Sequence, residues 1–213
     1  MTRRTAVCPN CGAPIEFLWS SAVQTTCSFC KSILVRHDVE LERVGEVGDL
    51  PESTSPIQIA TQGVYRGVAF TAVGRILYEW ERGRWNEWHL RLDDGTSAWL
   101  SDAQMEYAVT KLVETSEQLP SADHLRVGQN YGLNKTLFKV VSITRARYRG
   151  VEGELPFEYW NKNEVLFADL ETTGNRFATL DYSDGNDSPA LYVGEFQEFD
   201  DLQFANLREV PGW

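Results

Sequence analysis

The sequence predicts a mostly-β protein in which a small cysteine-containing ribbon precedes a larger β-rich domain. All four cysteines lie within the first 30 residues. The rest of the chain is rich in β-branched and aromatic residues, with Gly and Asp-Gly turns between short apolar runs. We therefore divide the 213 residues into a ribbon at 1–37, a linker or a strand followed by a linker at 38–56, and a β-rich domain at 57–213.

Composition and charge exclude several classes of protein. Hydrophobic residues make up 42% of the chain and charged residues 24%, which excludes a wholly disordered protein. The formal net charge of -11 argues against binding along a nucleic-acid backbone. The sequence lacks a run of about 18 apolar residues, so no membrane span is expected. It also lacks the apolar stretch of a secretory signal after its first residues, and we expect a cytoplasmic location.

Two C-x2-C pairs separated by fifteen residues predict a metal site in the ribbon. A gap of two residues lets both thiolates of a pair bind one ion, and four thiolates in a tetrahedron select zinc. Gly12 follows the first pair, where a tight turn favours a residue without Cβ. We predict one structural Zn²⁺ bound by Cys8, Cys11, Cys27 and Cys30. Redox-active dithiols and unrelated core cysteines are the alternatives.

The metal would replace a hydrophobic core, because a segment of about 37 residues buries too little apolar surface to fold alone. Ile15, Phe17 and residues 33–35 are the expected strand residues of the ribbon.

A hairpin is predicted in the first part of the β-rich domain. Trp88, Leu90 and Leu92 alternate with polar residues, which places them on one buried face of a strand. Asp94-Gly95 is a strong hairpin-turn signal, and residues 96–100 would form the returning strand.

A helix is expected next, at about 102–117. Residues 101–104 resemble a capping box. Met105, Ala108, Val109, Leu112 and Val113 then follow with the spacing of one helical face, and Pro120 prevents continuation.

Strand patterns resume after the predicted helix, at 137–144, 165–171, 176–182 and 191–195, with turns at 174–175 and 184–185. A weak internal repeat relates residues 63–99 to residues 128–182. We expect two related antiparallel barrel-like modules, at about 57–100 and 125–205, joined by the α-helix. A single continuous sandwich is the alternative.

Aromatic and acidic residues of this domain are the candidates for a binding site. Trp80 and Trp85 have charged neighbours and are the tryptophans most expected to be exposed, although most aromatic residues pack in cores. Carboxylates that face each other could perform acid–base chemistry or bind a divalent ion, or each could instead accept turn amides or pair with arginines. The candidate acids are Glu87, Glu154, Asp169 and Asp181.

The relative position of Asp169 and Asp181 depends on an unknown register. A three-residue loop between their strands would place them opposite each other, and a two-residue loop would place them on opposite faces. The sequence contains neither a nucleophile elbow nor a glycine-rich phosphate loop, and its cysteines are all assigned to the metal. It therefore favours a non-catalytic protein and leaves an enzymatic role open.

Several segments resemble the bacterial family catalogued as domain of unknown function 4178. They include Trp85-Asn86-Glu87-Trp88, Leu92-Asp93-Asp94-Gly95, Gly153-Glu154-Leu155-Pro156 and residues 177–182. The resemblance covers most of residues 57–205 and implies a β-rich domain without an assigned reaction, preceded by a four-cysteine ribbon. It also implies a bacterial setting near polyamine-synthesis-like enzymes and membrane-stress proteins. It transfers no catalytic residues.

Two functional hypotheses follow. The first is a non-catalytic, cytoplasmic zinc-ribbon adaptor that recognises a protein partner through its β-rich domain, in a membrane-stress or polyamine-related system. The alternative is an enzyme or a binder of a small cationic amine that uses the Trp80–Trp99 hairpin and the nearby acids, since the negative charge favours a cationic ligand. The sequence leaves the oligomeric state open.

Overall fold

The computed structural model describes residues 5–37, 40–47, 50–51, 54–159, 164–185, 187 and 189–210. In these residues we find two short 3-10 helices, Ala122–His124 and Asp200–Leu202, and no α-helix. The strands are β1 (Thr5–Val7), β2 (Pro14–Glu16), β3 (Gln24–Thr26), β4 (Ser32–His37), β5 (Glu40–Glu46), β6 (Gln62–Tyr65), β7 (Val68–Trp80), β8 (Gly83–Leu92), β9 (Ser97–Ala103), β10 (Glu106–Leu112), β11 (Asn130–Leu133), β12 (Thr136–Gly153), β13 (Glu164–Glu171), β14 (Arg176–Asp181) and β15 (Ala190–Gln197). Within the described chain, the search for a helix long and apolar enough to cross a membrane found none.

The N-terminal ribbon consists of two small antiparallel sheets. Strands β1 and β2 form one, and β3, β4 and β5 form the other. Strand β5 lies within 38–56, the segment for which we expected a linker or a strand followed by a linker. Residues 38–39, 48–49 and 52–53 of that segment lie outside the described part of the chain.

The other ten strands form one antiparallel sheet that closes on itself. Their order is β11-β12-β13-β14-β15-β10-β9-β8-β7-β6, and an additional pairing joins β12 to β7. Eight strands, β7–β10 and β12–β15, therefore form a closed circuit of hydrogen-bonded neighbours, which we call the ring. Strands β6 and β11 pair with the first parts of β7 and β12 outside the circuit.

Bulges allow the two longest strands to close the ring. The register of β7 shifts between Ala72 and Gly74, and that of β12 shifts between Tyr148 and Gly150. A bulge bends a strand and increases its twist. Strand β12 can therefore pair with β13 up to Arg147 and with β7 from Arg147 onward.

The two halves of the β-rich domain contribute equally to the sheet. Strands β6–β10 and β11–β15 each follow one another as neighbours, with a long second strand in each half. The expected mostly-β class and the antiparallel pairing are confirmed. The halves share one sheet and meet at two joints, β10–β15 and β7–β12.

The predicted helix at 102–117 is wrong. The chain forms instead a hairpin in which β9 turns at Gln104 and Met105 into β10, and both turn residues have positive φ, 54° and 71°. Strand β10 is buried on both faces along residues 107–110, so its apolar residues do not alternate. A short strand of this kind cannot be distinguished from a buried helix by periodicity.

Apolar clusters cover the faces of the ring strands that point away from its interior. Trp88, Leu90 and Leu92 are 1%, 0% and 2% exposed, which confirms the predicted buried face, and they pack with Leu202 near the C-terminus. A second cluster surrounds Phe138. The opposite faces of the same strands enclose the interior of the ring, so most of the ring is buried on both sides.

Candidate ligand cavity and metal centre

The four cysteines of the ribbon converge on one point. Their Sγ atoms all lie within 4.8 Å of one another. The Sγ atoms of Cys8 and Cys30 are 3.7 Å apart, and those of Cys11 and Cys27 are 3.8 Å apart. These separations are far too long for disulfide bonds, which measure about 2.05 Å.

The two C-x2-C pairs have the same local structure. Gly12 N–H donates to the Cys8 carbonyl at 2.9 Å, and Lys31 N–H donates to the Cys27 carbonyl at 3.0 Å. The donor has positive φ in each turn, 76° at Gly12 and 59° at Lys31. The sequence signals the first turn through its glycine, whereas nothing about Lys31 signals the second.

The cysteine geometry fits a metal ion. Thiolates at about 2.3 Å from an ion at tetrahedral corners lie about 3.8 Å apart, close to the two separations observed here. The four cysteines could therefore hold an ion. When bound, such an ion would cross-link the two turns and stabilise a ribbon that has a small apolar core.

A cavity of about 510 Å³ lies inside the ring, and all eight ring strands contribute to its lining. The exposed side chains of Arg84, Gln104 and Glu106 line it at the end where β7 turns into β8 and β9 turns into β10. Phe157 and Tyr159, which follow β12, also line it. The cavity thus has exposed polar side chains at one end and aromatic residues contributed by the segment after β12.

The cavity collects most of the predicted site residues. Trp80, Trp85, Glu87, Asp169 and Asp181 all line it. Both tryptophans are half-buried. The structure thereby brings together residues that are up to about a hundred positions apart, because ring closure places the inward faces of β7, β8, β13 and β14 around one space.

Two neighbouring side chains hold the Glu87 carboxylate in place through hydrogen bonds. It accepts a hydrogen bond from Trp85 Nε1 at 2.9 Å, and Ser101 Oγ donates to it at 2.8 and 2.9 Å. Removal from bulk water raises the pKa of Glu87 to about 8, assisted by the negative charges of Asp169 and Asp181 and opposed by the two donors.

Asp169 and Asp181 lie on the same face of neighbouring strands. Asp169 is directly opposite Thr179, one diagonal step from Asp181. A five-residue connection, 172–176, separates the last paired residues and keeps both acids on the inward face. Asp169 accepts a hydrogen bond from Ser142 Oγ at 2.7 Å, and burial raises the pKa of Asp169.

The lining of the cavity is strongly acidic. Among the described residues that line it, five carry a carboxyl group and one, Arg84, carries a guanidinium group. Glu79 engages Arg84 in an ion pair at 3.0 Å. Within the described chain, neither Glu87 nor Asp169 forms an ion pair with an arginine or a lysine. The alternative that these two acids pair with arginines is therefore not supported.

Aromatic rings form much of the wall. Trp85 stacks on Tyr78 with ring centroids 5.1 Å apart, and Phe167 meets both rings edge-on. Trp99 stacks on Phe157 at 5.7 Å. The same aromatic residues thus pack against one another and line the cavity, so the core and ligand-cage interpretations are compatible.

Glu154 does not line the cavity. It is 3% exposed and lies at the contact between the ribbon and the ring, where its carboxylate accepts hydrogen bonds from the amides of Leu18 and Trp19 at 2.6 and 2.7 Å. Burial raises the pKa of Glu154 to about 7 despite these donors. Its role is to join the two parts of the molecule.

Sequence reasoning missed Ser101, Ser142 and Tyr159. Ser101 lies directly opposite Glu87 on the adjacent strand, a register that the sequence does not reveal. The alternation in the segment Trp85-Asn86-Glu87-Trp88 is a sequence signal for this site, because alternate residues of a strand lie on opposite faces. Trp85 and Glu87 bond to each other inside the ring, whereas Asn86 and Trp88 both donate to Asp102 on the other face.

A family model described as Domain of unknown function (DUF4178) matches residues 58–198. No curated protein and no solved structure matches the chain significantly.

Proposed function

Since the chain belongs to the DUF4178 family, whose description assigns no activity, we propose its function from the geometry of the ring: the protein binds a small cationic amine inside the cavity. The observation that carries the proposal is the group of three inward carboxylates, Glu87, Asp169 and Asp181, within an aromatic enclosure. This conclusion corresponds to the amine-binding alternative derived from the sequence.

The electrostatics favour a cation. A carboxylate removed from water is costly unless an opposite charge or hydrogen bonds compensate it. Glu87 and Asp169 have neutral donors but no cationic partner among the described residues. An ammonium group in the cavity would supply the missing positive charge and would favour the ionised form of Glu87.

Size and wall chemistry define the rest of the ligand. A cavity of about 510 Å³ lies within the usual range for small-molecule sites, roughly 300–1,000 Å³. Tyr78, Trp85 and Phe167 present aromatic surface beside Glu87. Such surface accommodates an apolar or aromatic group and also attracts a cation. We therefore propose an amine with an attached apolar or aromatic part.

Isothermal titration calorimetry with tryptamine, and with indole-3-propionate as its negatively charged counterpart, tests this function. We expect the full chain to bind tryptamine and not the acid. Glu87→Gln should weaken tryptamine binding at least about tenfold, whereas Glu164→Gln, which changes an exposed strand residue outside the cavity, should not. Equal affinity for both compounds, or binding that is indifferent to Glu87→Gln, would contradict the proposal. Spermidine in the same assay distinguishes an aromatic amine from a polyamine.

We further propose that the ion of the ribbon is Zn²⁺ and that its role is structural. Four thiolate ligands leave no open coordination position and match the preference of zinc. Metal analysis of the purified chain should give about one zinc per molecule. Replacement of the ion by iron, or a chain that folds fully without metal, would contradict this assignment.

The hypothesis of an adaptor that recognises a protein partner through the β-rich domain stays a prediction, together with the cytoplasmic location and the bacterial origin. A separate observation favours a partner at the ribbon rather than at the β-rich domain: Phe29 and Val7, next to the proposed zinc ligands, are 68% and 64% exposed. Capture of a partner by the wild-type chain but not by Phe29→Ser would support it. Failure to capture any reproducible partner would count against it.

A further inference from the structure

Residues 154–159, which we call the floor segment, connect the ribbon to the cavity. At its start, the Glu154 carboxylate accepts hydrogen bonds from the amides of Leu18 and Trp19. The next residue pairs with the first residue of β3, since Leu155 N–H donates to the Gln24 carbonyl at 2.9 Å. The ribbon therefore fixes the beginning of the floor segment through main-chain groups and one buried carboxylate.

Gln24 also fixes the end of the floor segment. Its side-chain Oε1 accepts the Tyr159 amide at 2.7 Å, and its Nε2 donates to the Tyr159 carbonyl at 3.2 Å. Gln24 is 1% exposed, so these bonds are shielded from water. One ribbon side chain thus satisfies both main-chain groups of a residue that lines the cavity.

The other side of the floor segment belongs to the cavity. Phe157 stacks on Trp99, and the hydroxyl groups of Tyr159 and Tyr78 share a hydrogen bond of 2.5 Å. All four of these residues line the cavity. A change in the position of the floor segment would therefore change the shape and the polar groups of the ligand site.

The ribbon residues that fix the floor segment lie close in sequence to the metal ligands. Strand β3 runs from Gln24 to Thr26 and leads directly into Cys27. The buried cluster of the ribbon is small and includes Cys8 and Cys27 themselves. Without an ion, this cluster has little apolar surface with which to keep Gln24, Leu18 and Trp19 in place.

We infer that the metal ion in the ribbon controls ligand binding in the ring. Two sets of contacts couple the metal site to the floor segment. One leads from Cys27 through β3 and Gln24 to Leu155 and Tyr159. The other joins the amides of Leu18 and Trp19 to the Glu154 carboxylate. Loss of the ion releases the floor segment and weakens ligand binding, and by thermodynamic reciprocity a bound ligand strengthens metal binding by the same factor. The inference deepens the proposed function and rests on it for its ligand-binding half.

Hydrogen exchange of the full chain tests the structural half without any ligand. We compare the zinc-loaded protein with protein stripped by a chelator, after metal analysis confirms each state. Removal of zinc should speed exchange of the Leu155 and Tyr159 amides at least about tenfold and change exchange in 166–171 of β13 less than about twofold. Unchanged exchange in the floor segment after complete metal loss would overturn the inference.

Calorimetry with tryptamine tests the binding half. We expect an at least about tenfold lower affinity for the stripped protein than for the zinc-loaded protein. Glu154→Gln should retain one zinc per chain yet bind tryptamine more weakly than the wild type, because it weakens the bonds to Leu18 and Trp19. Glu158→Gln is the matched control, since this neighbouring residue is exposed.

The outcomes separate the two proposals. If the zinc-loaded wild type does not bind tryptamine, the proposal that the cavity binds an aromatic amine fails. The hydrogen-exchange result then decides by itself whether the metal orders the floor segment. If loaded and stripped proteins bind tryptamine equally, the coupling is wrong and the proposed function stands. If Glu154→Gln and Glu158→Gln behave alike, Glu154 does not transmit the coupling.

Discussion

The ribbon and the ring are built on opposite principles. The chemistry of the ribbon depends on residues close in sequence, because two C-x2-C turns of identical form bring four sulfur atoms together. The chemistry of the ring depends on residues far apart, such as Ser142 and Asp169, which meet only when β12 pairs with β13. A local site can be read from spacing, whereas a site inside a closed sheet exists only once the register is fixed.

The largest expected effect breaks the ribbon and spares the ring. Cys27→Ser removes one of the four proposed zinc ligands, so the chain should lose at least nine-tenths of its zinc. The cooperative structure of residues 5–37 should then be lost, because structural zinc supplies about 10 kcal/mol or more of folding free energy in such segments. Metal analysis and proton–nitrogen correlation spectra measure both results.

Ser28→Ala, between Cys27 and Cys30, is the control and should retain the metal. Loss of dispersed signals from both the ribbon and the ring in Cys27→Ser would show that the two regions do not fold separately.

The next effect breaks the ring at one of its joints. Gly194 lies on β15 where it pairs with β10, and an added Cβ would lie 1.8 Å from the Val109 carbonyl oxygen. Gly194→Ala should lower the free energy of unfolding by about 3 kcal/mol because the strands must separate to admit the methyl group. Urea denaturation followed by tryptophan fluorescence measures the change.

Gly132→Ala on β11 is the matched control, because a Cβ there would meet nothing within 4 Å. If Gly194→Ala were as stable as Gly132→Ala, the close contact between β10 and β15 would be wrong.

A smaller effect concerns the pH dependence of the ring. The pKa of Glu87 is about 8 in the folded chain against an ordinary value of 4.5, so the folded state binds this proton more tightly than the unfolded state. Stability contributed by this group is therefore complete below about pH 4.5 and falls as the pH rises toward about 8. Glu87→Gln should abolish that fall. At about pH 9 its free energy of unfolding should exceed that of the wild type by an amount on the order of 3 kcal/mol.

Urea denaturation across this pH range measures the effect, with Glu164→Gln as the control. Glu154, whose pKa is also raised, should leave a residual slope in both variants. Parallel pH profiles for Glu87→Gln and the wild type would show that Glu87 is solvated like an ordinary carboxylate.

The smallest effect distinguishes the hairpin from the helix that the sequence predicts. Met105 is 74% exposed and has a φ of 71°, a conformation that costs an L-residue roughly 1 kcal/mol. Met105→Gly should therefore stabilise the ring by about 0.5–1 kcal/mol, whereas the same change inside a helix would destabilise it by about 1 kcal/mol. The sign of the change in urea denaturation decides between the two.

Several strands and the convergence of the four cysteines could be predicted from the sequence, whereas the closure of the ring could not. The turn at Asp94-Gly95 and the buried face of Trp88, Leu90 and Leu92 follow from local patterns, and the structure confirms them. Strand β10 has the apolar spacing of a helix because burial on both faces removes the alternation typical of a strand. The pairing of β7 with β12 could not be predicted, since it depends on bulges that change the partner of a strand along its length.

The candidate acids show the same limit within one set of residues. The sequence places Glu87, Asp169 and Asp181 in or beside strands, but whether they converge depends on the strand register, which the loop lengths leave open. Glu154 has the same sequence context but serves the contact with the ribbon. Its different role follows from its position just after β12, where the ribbon replaces another strand as its neighbour.

Nitrogen-15 spectra of the tryptophan indole groups during a tryptamine titration show whether a cation binds inside the ring. Trp85 Nε1 donates to Glu87 inside the cavity, and Trp88 Nε1 donates to Asp102 on the opposite face of the same strand. If the amine binds inside the ring, the Trp85 indole signal should shift and saturate while the Trp88 signal stays in place. A titration that leaves Trp85 unchanged, or that moves both signals equally, would contradict cation binding inside the ring.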